Sequence, residues 1–163
     1  MTHAAPAPPR APDPAAFQDT LGLIERLYRL QLDLVKDEFE RLQMRDINPV
    51  QGMLLFHVAH RELTAGEVRR GGFYQGSNLS YNLRRLVALG YMRQRRSERD
   101  GRALRVSLTE RGRSVEGIVA ALLARHGAAF DGRLDGEGGR LCDLVETLSR
   151  LERYLTAQIR YIY

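Results

Sequence analysis

Asn78, Tyr81, Asn82 and Arg85 are spaced i, i+3, i+4 and i+7, which gathers their side chains on one face of a helix turning about 100° per residue. Amides, a phenol and a guanidinium on one solvent face can read base edges, because Asn matches adenine and Arg matches guanine through paired hydrogen bonds. Elsewhere around the same stretch, residues 76–90, lie Leu79, Leu83, Leu86 and Val87, a stripe suited to burial. Alone, this pattern fits an ordinary amphipathic surface helix as well as a reading helix. The segment after Gly90 favours the second. There the period becomes extended: residues 91–97 and 103–108 read as two strands, joined by residues 98–102 with Asp100-Gly101 as the turn signal. Leu104, Val106 and Leu108 alternate with Ala103, Arg105 and Ser107, one face apolar and one wet. The hairpin carries Arg93, Arg95, Arg96, Arg99, Arg102 and Arg105 against Glu98 and Asp100. A solvated basic hairpin has this composition too, but directly behind a base-reading helix it suits a wing that grips phosphate.

The rest of the chain must hold these residues in place. Its 163 residues suffice for one domain with a real core, and 44% hydrophobic with 28% charged residues describes a soluble globular protein. Residues 61–113 hold 13 Arg and 5 acidic residues, net +8, which leaves −3 for the remainder of a chain whose total is +5. A basic middle between acidic flanks is the footprint of a nucleic-acid binder on a separate scaffold. Lys36 alone breaks an all-Arg basic set, which genomic base composition explains without any mechanism. One cysteine, Cys142, excludes an internal disulfide and a Cys-based metal site. With no signal-like or membrane-length apolar run, a cytoplasmic location is expected.

In chain order, residues 1–15 form a Pro/Ala-rich tail with no means of packing. Residues 16–46 are expected to form a long helix, ending near Arg45, that mediates dimerisation. Leu21, Ile24, Tyr28, Leu32, Val35, Phe39 and Leu42 make one stripe; Leu23, Leu27, Leu30 and Leu34 make another. One stripe packs a helix on its own domain, whereas two require a second partner. Residues 47–112 are assigned to DNA binding. Asn48-Pro49 opens a largely buried helix, and Thr64 with Glu67 has the spacing of a capping box for a short helix ending near Gly71-Gly72. His57 and His60 do not make a metal site without further ligands. Residues 113–163 supply C-terminal dimerisation helices, from 110 to about 132 and from 140 to 163, around a glycine-rich break. Leu141, Leu148, Leu155 and Ile162 recur every seven residues with Leu144 and Leu151 between them, a coiled-coil-like seam. Cys142, one position off it, reads as a small packing residue, with a redox sensor beside Arg140 as the alternative.

Residues 86–93 (LVALGYMR), Asp100-Gly101-Arg102 and residues 106–112 (VSLTERG) resemble the helix end, wing tip and strand-to-helix junction of the MarR-type winged helix-turn-helix regulators. The resemblance covers roughly residues 16–163. It implies a mainly α fold with a small β-hairpin wing (α+β), flanked by long N- and C-terminal dimerisation helices. Gly101 departs from the further basic residue many members carry there. The glycine-rich connection at 71–76 is longer than the usual tight turn, and together with residues 77–82 it resembles a subgroup tied to control of cell-wall L,D-transpeptidases. By resemblance, Asp100 orients the wing arginine through a salt bridge. The resemblance also implies a small aromatic effector between the dimerisation helices and the reading domain, with Phe39, Met44, Met53 and Phe56 as candidates by position, though each also suits the core.

The expected function is a homodimeric, sequence-specific transcriptional regulator on double-stranded DNA with a pseudo-palindromic site. Gln75, Ser77, Asn78, Tyr81, Asn82 and Arg85 face bases or flanking phosphates, Arg84 suits a phosphate, and Arg99 and Arg102 reach the minor groove or backbone, with Arg93, Arg95 and Arg96 adding longer-range attraction. A non-specific architectural binder would use the wing equally well but has no need of Asn and Tyr on the helix. The basic middle disfavours a pure protein-interaction module. For an enzyme there is neither a phosphate loop nor a nucleophile–base set, and no cofactor is expected. Activation and repression remain equally open.

Overall fold

The structure, a computed structural model, describes residues 13–70, 76–96, 104–131 and 141–162. The 1–12 tail, the 71–75 connection, the wing tip at 97–103 and the glycine-rich break at 132–140 lie outside the described residues.

Helix α1 spans Pro14–Arg41. It begins two residues before the expected start because the Asp13 carboxylate accepts from the Ala16 backbone N–H at 3.1 Å, and Pro14 sits in the first turn, where a missing N–H costs nothing. It ends short of Arg45 because Gln43 turns left-handed, at φ 57°. Gln43 N–H then donates to Glu40 O at 3.0 Å and Met44 N–H to Phe39 O at 2.8 Å, closing the helix in a Schellman turn. Helix α2, Pro49–Val58, opens on a full capping box in which Asn48 and Gln51 each bond the other's backbone N–H. Its face toward α1 carries Gly52, where an added Cβ would stand 2.5 Å from the Phe39 ring; the two helices meet this closely only without a side chain there.

Strand β1, Leu63–Thr64, had no sequence signal. It pairs with β3, Leu104–Leu108, which pairs in turn with β2, Met92–Arg96, in an antiparallel sheet of order β1-β3-β2. Leu63 lies opposite Val106, and Gln94 lies opposite Val106 from the other side. Two residues are too few to show an alternation. The expected apolar face of β3 holds at Val106 and Leu108, while Leu104 lies toward the wing's far end and is 47% exposed.

Between β1 and β2 come α3, Ala65–Arg70, and α4, Gly76–Ala88; after β3 come α5, Glu110–Asp131, and α6, Leu141–Ile162. The core joins Val35 and Phe39 of α1, Met53, Leu54, Leu55 and Val58 of α2, the Leu79–Leu83–Leu86 stripe of α4, and Val115, Val119 and Leu122 of α5. Helix α6 adds no buried residue among those described. Cys142, expected in a packed seat, is exposed on it.

His57 on α2 is half-buried, and that burial, reinforced by the charge of Arg61, pushes its pKa down to about 4. The folded protein holds this imidazole neutral while the unfolded chain protonates it near 6.5. The unfolded state therefore binds more protons between those values, and stability falls as pH drops from about 6.5 toward 4. Urea midpoints measured at pH 7 and pH 5 should show this loss, and His57→Gln should shrink it. An unchanged difference in the variant would reassign the effect to the carboxylates.

Candidate nucleic-acid interface

The interface is assembled from α3, α4 and the wing. Thr64 and Glu67 form the expected capping box: Glu67 Oε2 accepts from Thr64 N–H at 2.6 Å, and Thr64 Oγ1 accepts from Glu67 N–H at 3.2 Å. Helix α4 lies behind α3, buries Leu79, Leu83 and Leu86, and leaves Asn78, Tyr81, Arg84 and Arg85 exposed; Tyr81 is 60% exposed. The structure leaves Asn78, Tyr81, Arg84 and Arg85 of α4 and Arg93, Arg95 and Arg96 of β2 on solvent, and it places Arg84 beside Gln94 of β2. Gln75, Arg99, Asp100 and Arg102 lie outside the described residues, as does the side chain of Ser77.

Asn82 corrects the sequence reading. It is 7% exposed, donates through Nδ2 to Asn78 O at 2.8 Å and accepts from Gln51 Nε2 at 3.2 Å. At 100° per residue it stands about 70° from the centre of the Leu79–Leu83–Leu86 stripe and about 70° from the centre of the Asn78–Tyr81–Arg85 face. Periodicity alone could not choose its side. The amide of Gln51 on α2 did.

Arg105 is a second difference. It lies directly opposite Arg95 across the β2–β3 pair, where like charges repel. Arg105 is drawn off by Glu62 and Glu67, at 3.9 and 4.0 Å, and donates to Glu62 O at 2.6 Å. Arg105 is therefore spent inside the protein, which leaves its cross-strand neighbour Arg95 the exposed cation of the pair. Arg93 donates to Ser107 Oγ at 3.0 Å and stays on the surface.

The C-terminal end of α4 is anchored by residues that the sequence did not single out. Gly90, at φ 76°, closes α4 through Tyr91 N–H to Leu86 O at 2.9 Å and Gly90 N–H to Val87 O at 3.0 Å, a Schellman turn in which glycine takes the left-handed position. The Tyr91 ring is then buried, with its hydroxyl donating to Asp46 Oδ1 at 2.8 Å and the Arg111 guanidinium 4.2 Å above its centre. Arg111 also donates to Leu89 O at 2.7 Å and to Asp46 Oδ2. The Tyr91 hydroxyl, with Arg111 beside it, holds the Asp46 carboxyl below the usual carboxylate range, while burial and then Asp46 push the phenol up. This cluster ties the α1–α2 loop, the end of α4 and the first turn of α5 together. Thr109 caps α5 as expected, accepting from Gly112 N–H at 3.2 Å and donating to Gly90 O at 2.7 Å.

On the opposite side, the first half of α1 and much of α6 present apolar side chains to solvent. Leu27 is 51% exposed, Leu30 58% and Ile159 63%. Among the described residues no three His, Cys, Asp or Glu side chains are placed to hold a metal ion, and no helix is long and apolar enough to cross a membrane.

A family model described as MarR family matches residues 45–103, from the α1–α2 loop to the wing tip. The exopolysaccharide II synthesis transcriptional activator ExpG of Rhizobium meliloti (strain 1021) is 34% identical over 140 residues, covering 85% of this chain and 71% of that protein. In fold, the chain is similar to the transcriptional regulator SlyA, with a TM-score of 0.71 at 16% identity over 89% of this chain and 99% of that one. It is also similar to Staphylococcus aureus MarR, crystallised with salicylate and kanamycin, with a TM-score of 0.68 at 17% identity over 88% of this chain and 95% of that one. The reading helix and basic wing thus occur in a chain that belongs to the MarR family of DNA-binding transcriptional regulators.

Proposed function

We propose that the protein acts in the cytoplasm as a homodimer that recognises a pseudo-palindromic operator, working by binding and not by catalysis. The observation that carries this reading is the split of α4: its apolar stripe is sealed into the core while Asn78, Tyr81, Arg84 and Arg85 remain exposed, as do the arginines of β2. Asn78, Tyr81 and Arg85 read base edges, with Gln75 and Ser77 at the start of the same surface. Arg84 and Arg95 meet phosphates, Arg99 and Arg102 at the wing tip reach the minor groove or backbone, and Asp100 orients them. The uncovered leucines of α1 and α6 support a second copy as the other half of the scaffold, since isolated proteins seldom leave so much contiguous apolar surface in water. Two copies would set two α4 helices into successive major grooves.

A small aromatic acid as effector is supported by a cleft of about 460 Å³ at the α1–α2 corner. Phe39 and Met44 line it, and Arg45 brings positive charge to it, while Lys36 there is paired with Glu40 at 3.7 Å. Of the other two candidates, Met53 is sealed in the core and Phe56 is half-buried, so Phe39 and Met44 carry this part. The salicylate in the Staphylococcus aureus relative is a molecule of this class.

Selection from a fragmented genomic library at near-physiological salt tests the reading. Enrichment of a pseudo-palindrome with half-sites one helical turn apart is the expected result, and retention without enrichment would make the protein an architectural binder. Against the enriched site, Arg85→Ala is expected to cost about 1–3 kcal/mol and to relax preference at one base pair. Equal weakening on every sequence would reassign Arg85 to phosphate.

A further inference from the structure

A run of hydrogen bonds, with one pair of side-chain amides at its centre and backbone groups at its ends, crosses the seam between α2 and α4. Asn48 caps α2 and accepts from Gln51 N–H at 2.9 Å. Gln51, 4% exposed, accepts from Asn48 N–H through Oε1 at 3.2 Å and donates through Nε2 to Asn82 Oδ1 at 3.2 Å. Asn82 in turn donates to the carbonyl of Asn78 at 2.8 Å. The polarity of the run is self-consistent. With Oε1 of Gln51 committed to an N–H, its NH2 must face Asn82, so Asn82 presents its oxygen and keeps its NH2 for the Asn78 carbonyl. Turning either amide over would set like groups face to face.

Stability does not by itself select an asparagine at position 82. Asn is among the weaker helix formers, a buried amide is unfavourable until it is bonded, and a leucine there would widen the stripe of Leu79, Leu83 and Leu86 while leaving the NH2 of buried Gln51 unpaired. What Asn82 also supplies is a side-chain bond to the carbonyl four residues back, which competes with the backbone hydrogen bonds of that turn. That carbonyl belongs to Asn78, at the front of the exposed face, and the bond is held from behind by α2.

We propose that Gln51 and Asn82 are positioning residues for sequence reading. The amide run sets the tilt of the first turns of α4, and with it where Asn78 and Tyr81 meet the base edges. Hydrogen bonds to bases tolerate only a few tenths of an ångström before they weaken, so a small relaxation of this turn blurs discrimination without loosening the grip on phosphates. The proposal rests on the reading of α4 as the base-reading helix.

The test uses the full chain as wild type, Asn82→Leu and Gln51→Glu. Glutamate at position 51 keeps the oxygen that completes the capping box but has no NH2 to give to Asn82. Each protein selects from a randomised duplex DNA pool, and its affinity and salt slope are measured on a scrambled duplex. Both variants are expected to lose at least tenfold discrimination at the same one or two base pairs of each half-site, with scrambled-duplex affinity within twofold of wild type and an unchanged salt slope. Intact discrimination in folded Asn82→Leu would overturn the proposal. Should that variant not fold, intact discrimination in Gln51→Glu would do the same. Uniform weakening with preferences preserved would also overturn it, since that marks a merely structural contact. If wild type enriches no sequence, base reading by α4 fails together with this proposal, and the failure shows before any substitution is made.

Discussion

Substitution of Gly112 by alanine is expected to destabilise the protein by about 3 kcal/mol or more, against the usual direction of such a change. Glycine inside a helix is ordinarily the weaker choice, by about 0.5–1 kcal/mol relative to alanine. Here an added Cβ would stand 2.1 Å from the Tyr91 carbonyl oxygen, 3.1 Å from its carbon and 3.4 Å from Leu108 Cβ. The carbonyl has nowhere to go. It accepts from Thr109 N–H and from Thr109 Oγ1, both at 3.1 Å, and its residue is anchored by the Leu86 carbonyl, Asp46 and Arg111. Relief would require α5 to lift off the turn that ends α4, which would take the Tyr91–Arg111 stack with it. Gly117, on the same helix, has nothing within 4 Å of its missing Cβ, so Gly117→Ala should stabilise by about 0.5–1 kcal/mol. Urea titrations of the two variants make the comparison. If both shifted stability upward, the close approach at Gly112 would be refuted.

The second large effect concerns association. Leu27→Asp combined with Leu30→Asp is expected to convert the protein to monomer at micromolar concentration and to weaken operator binding by about 100-fold or more. A second half-site bound through the same dimer gains an effective concentration that a free monomer lacks, a factor of roughly 10²–10⁴. Both leucines are more than half exposed in the single chain and neither belongs to its core, so the folded monomer should keep its helical circular dichroism. Sedimentation equilibrium reads the assembly and a gel-shift titration reads the affinity. A variant that stayed dimeric with wild-type affinity would move the interface away from this face of α1.

Much of this protein could be read from neighbouring residues. The Pro49 start of α2, the capping box at Thr64–Glu67, the buried stripe of α4, the Arg-rich β2 and the Thr109 cap are patterns within one or a few helical turns, and all appear where the sequence placed them. The long helix differs from its expected ends by a few residues because an aspartate cap ahead of Pro14 and a left-handed glutamine, in a seat that glycine usually takes, set them. The two stripes of α1 do not divide as their spacing suggests: Leu32, Val35 and Phe39 of the first pack on the domain, while Leu21, Ile24, Tyr28 and Leu42 are exposed together with Leu23, Leu27, Leu30 and Leu34 of the second.

Tertiary structure decided the rest, because each of those features depends on a residue far away in the chain. Asn82 stood between two faces until Gln51, 31 positions earlier, bonded it inward. Tyr91 met Asp46 across 45 positions, and Arg111 reached the same carboxylate across 65. Arg105 looked like one more wing cation until Glu62 and Glu67 claimed it. Periodicity reports which way a side chain leaves its own backbone, and so the sequence by itself determined the helices, the two wing strands, most of their buried faces and the exposed arginines of α4 and β2. Which polar residue at the edge of such a face meets water and which meets another amide is set by what packs opposite, and only the folded chain supplies that.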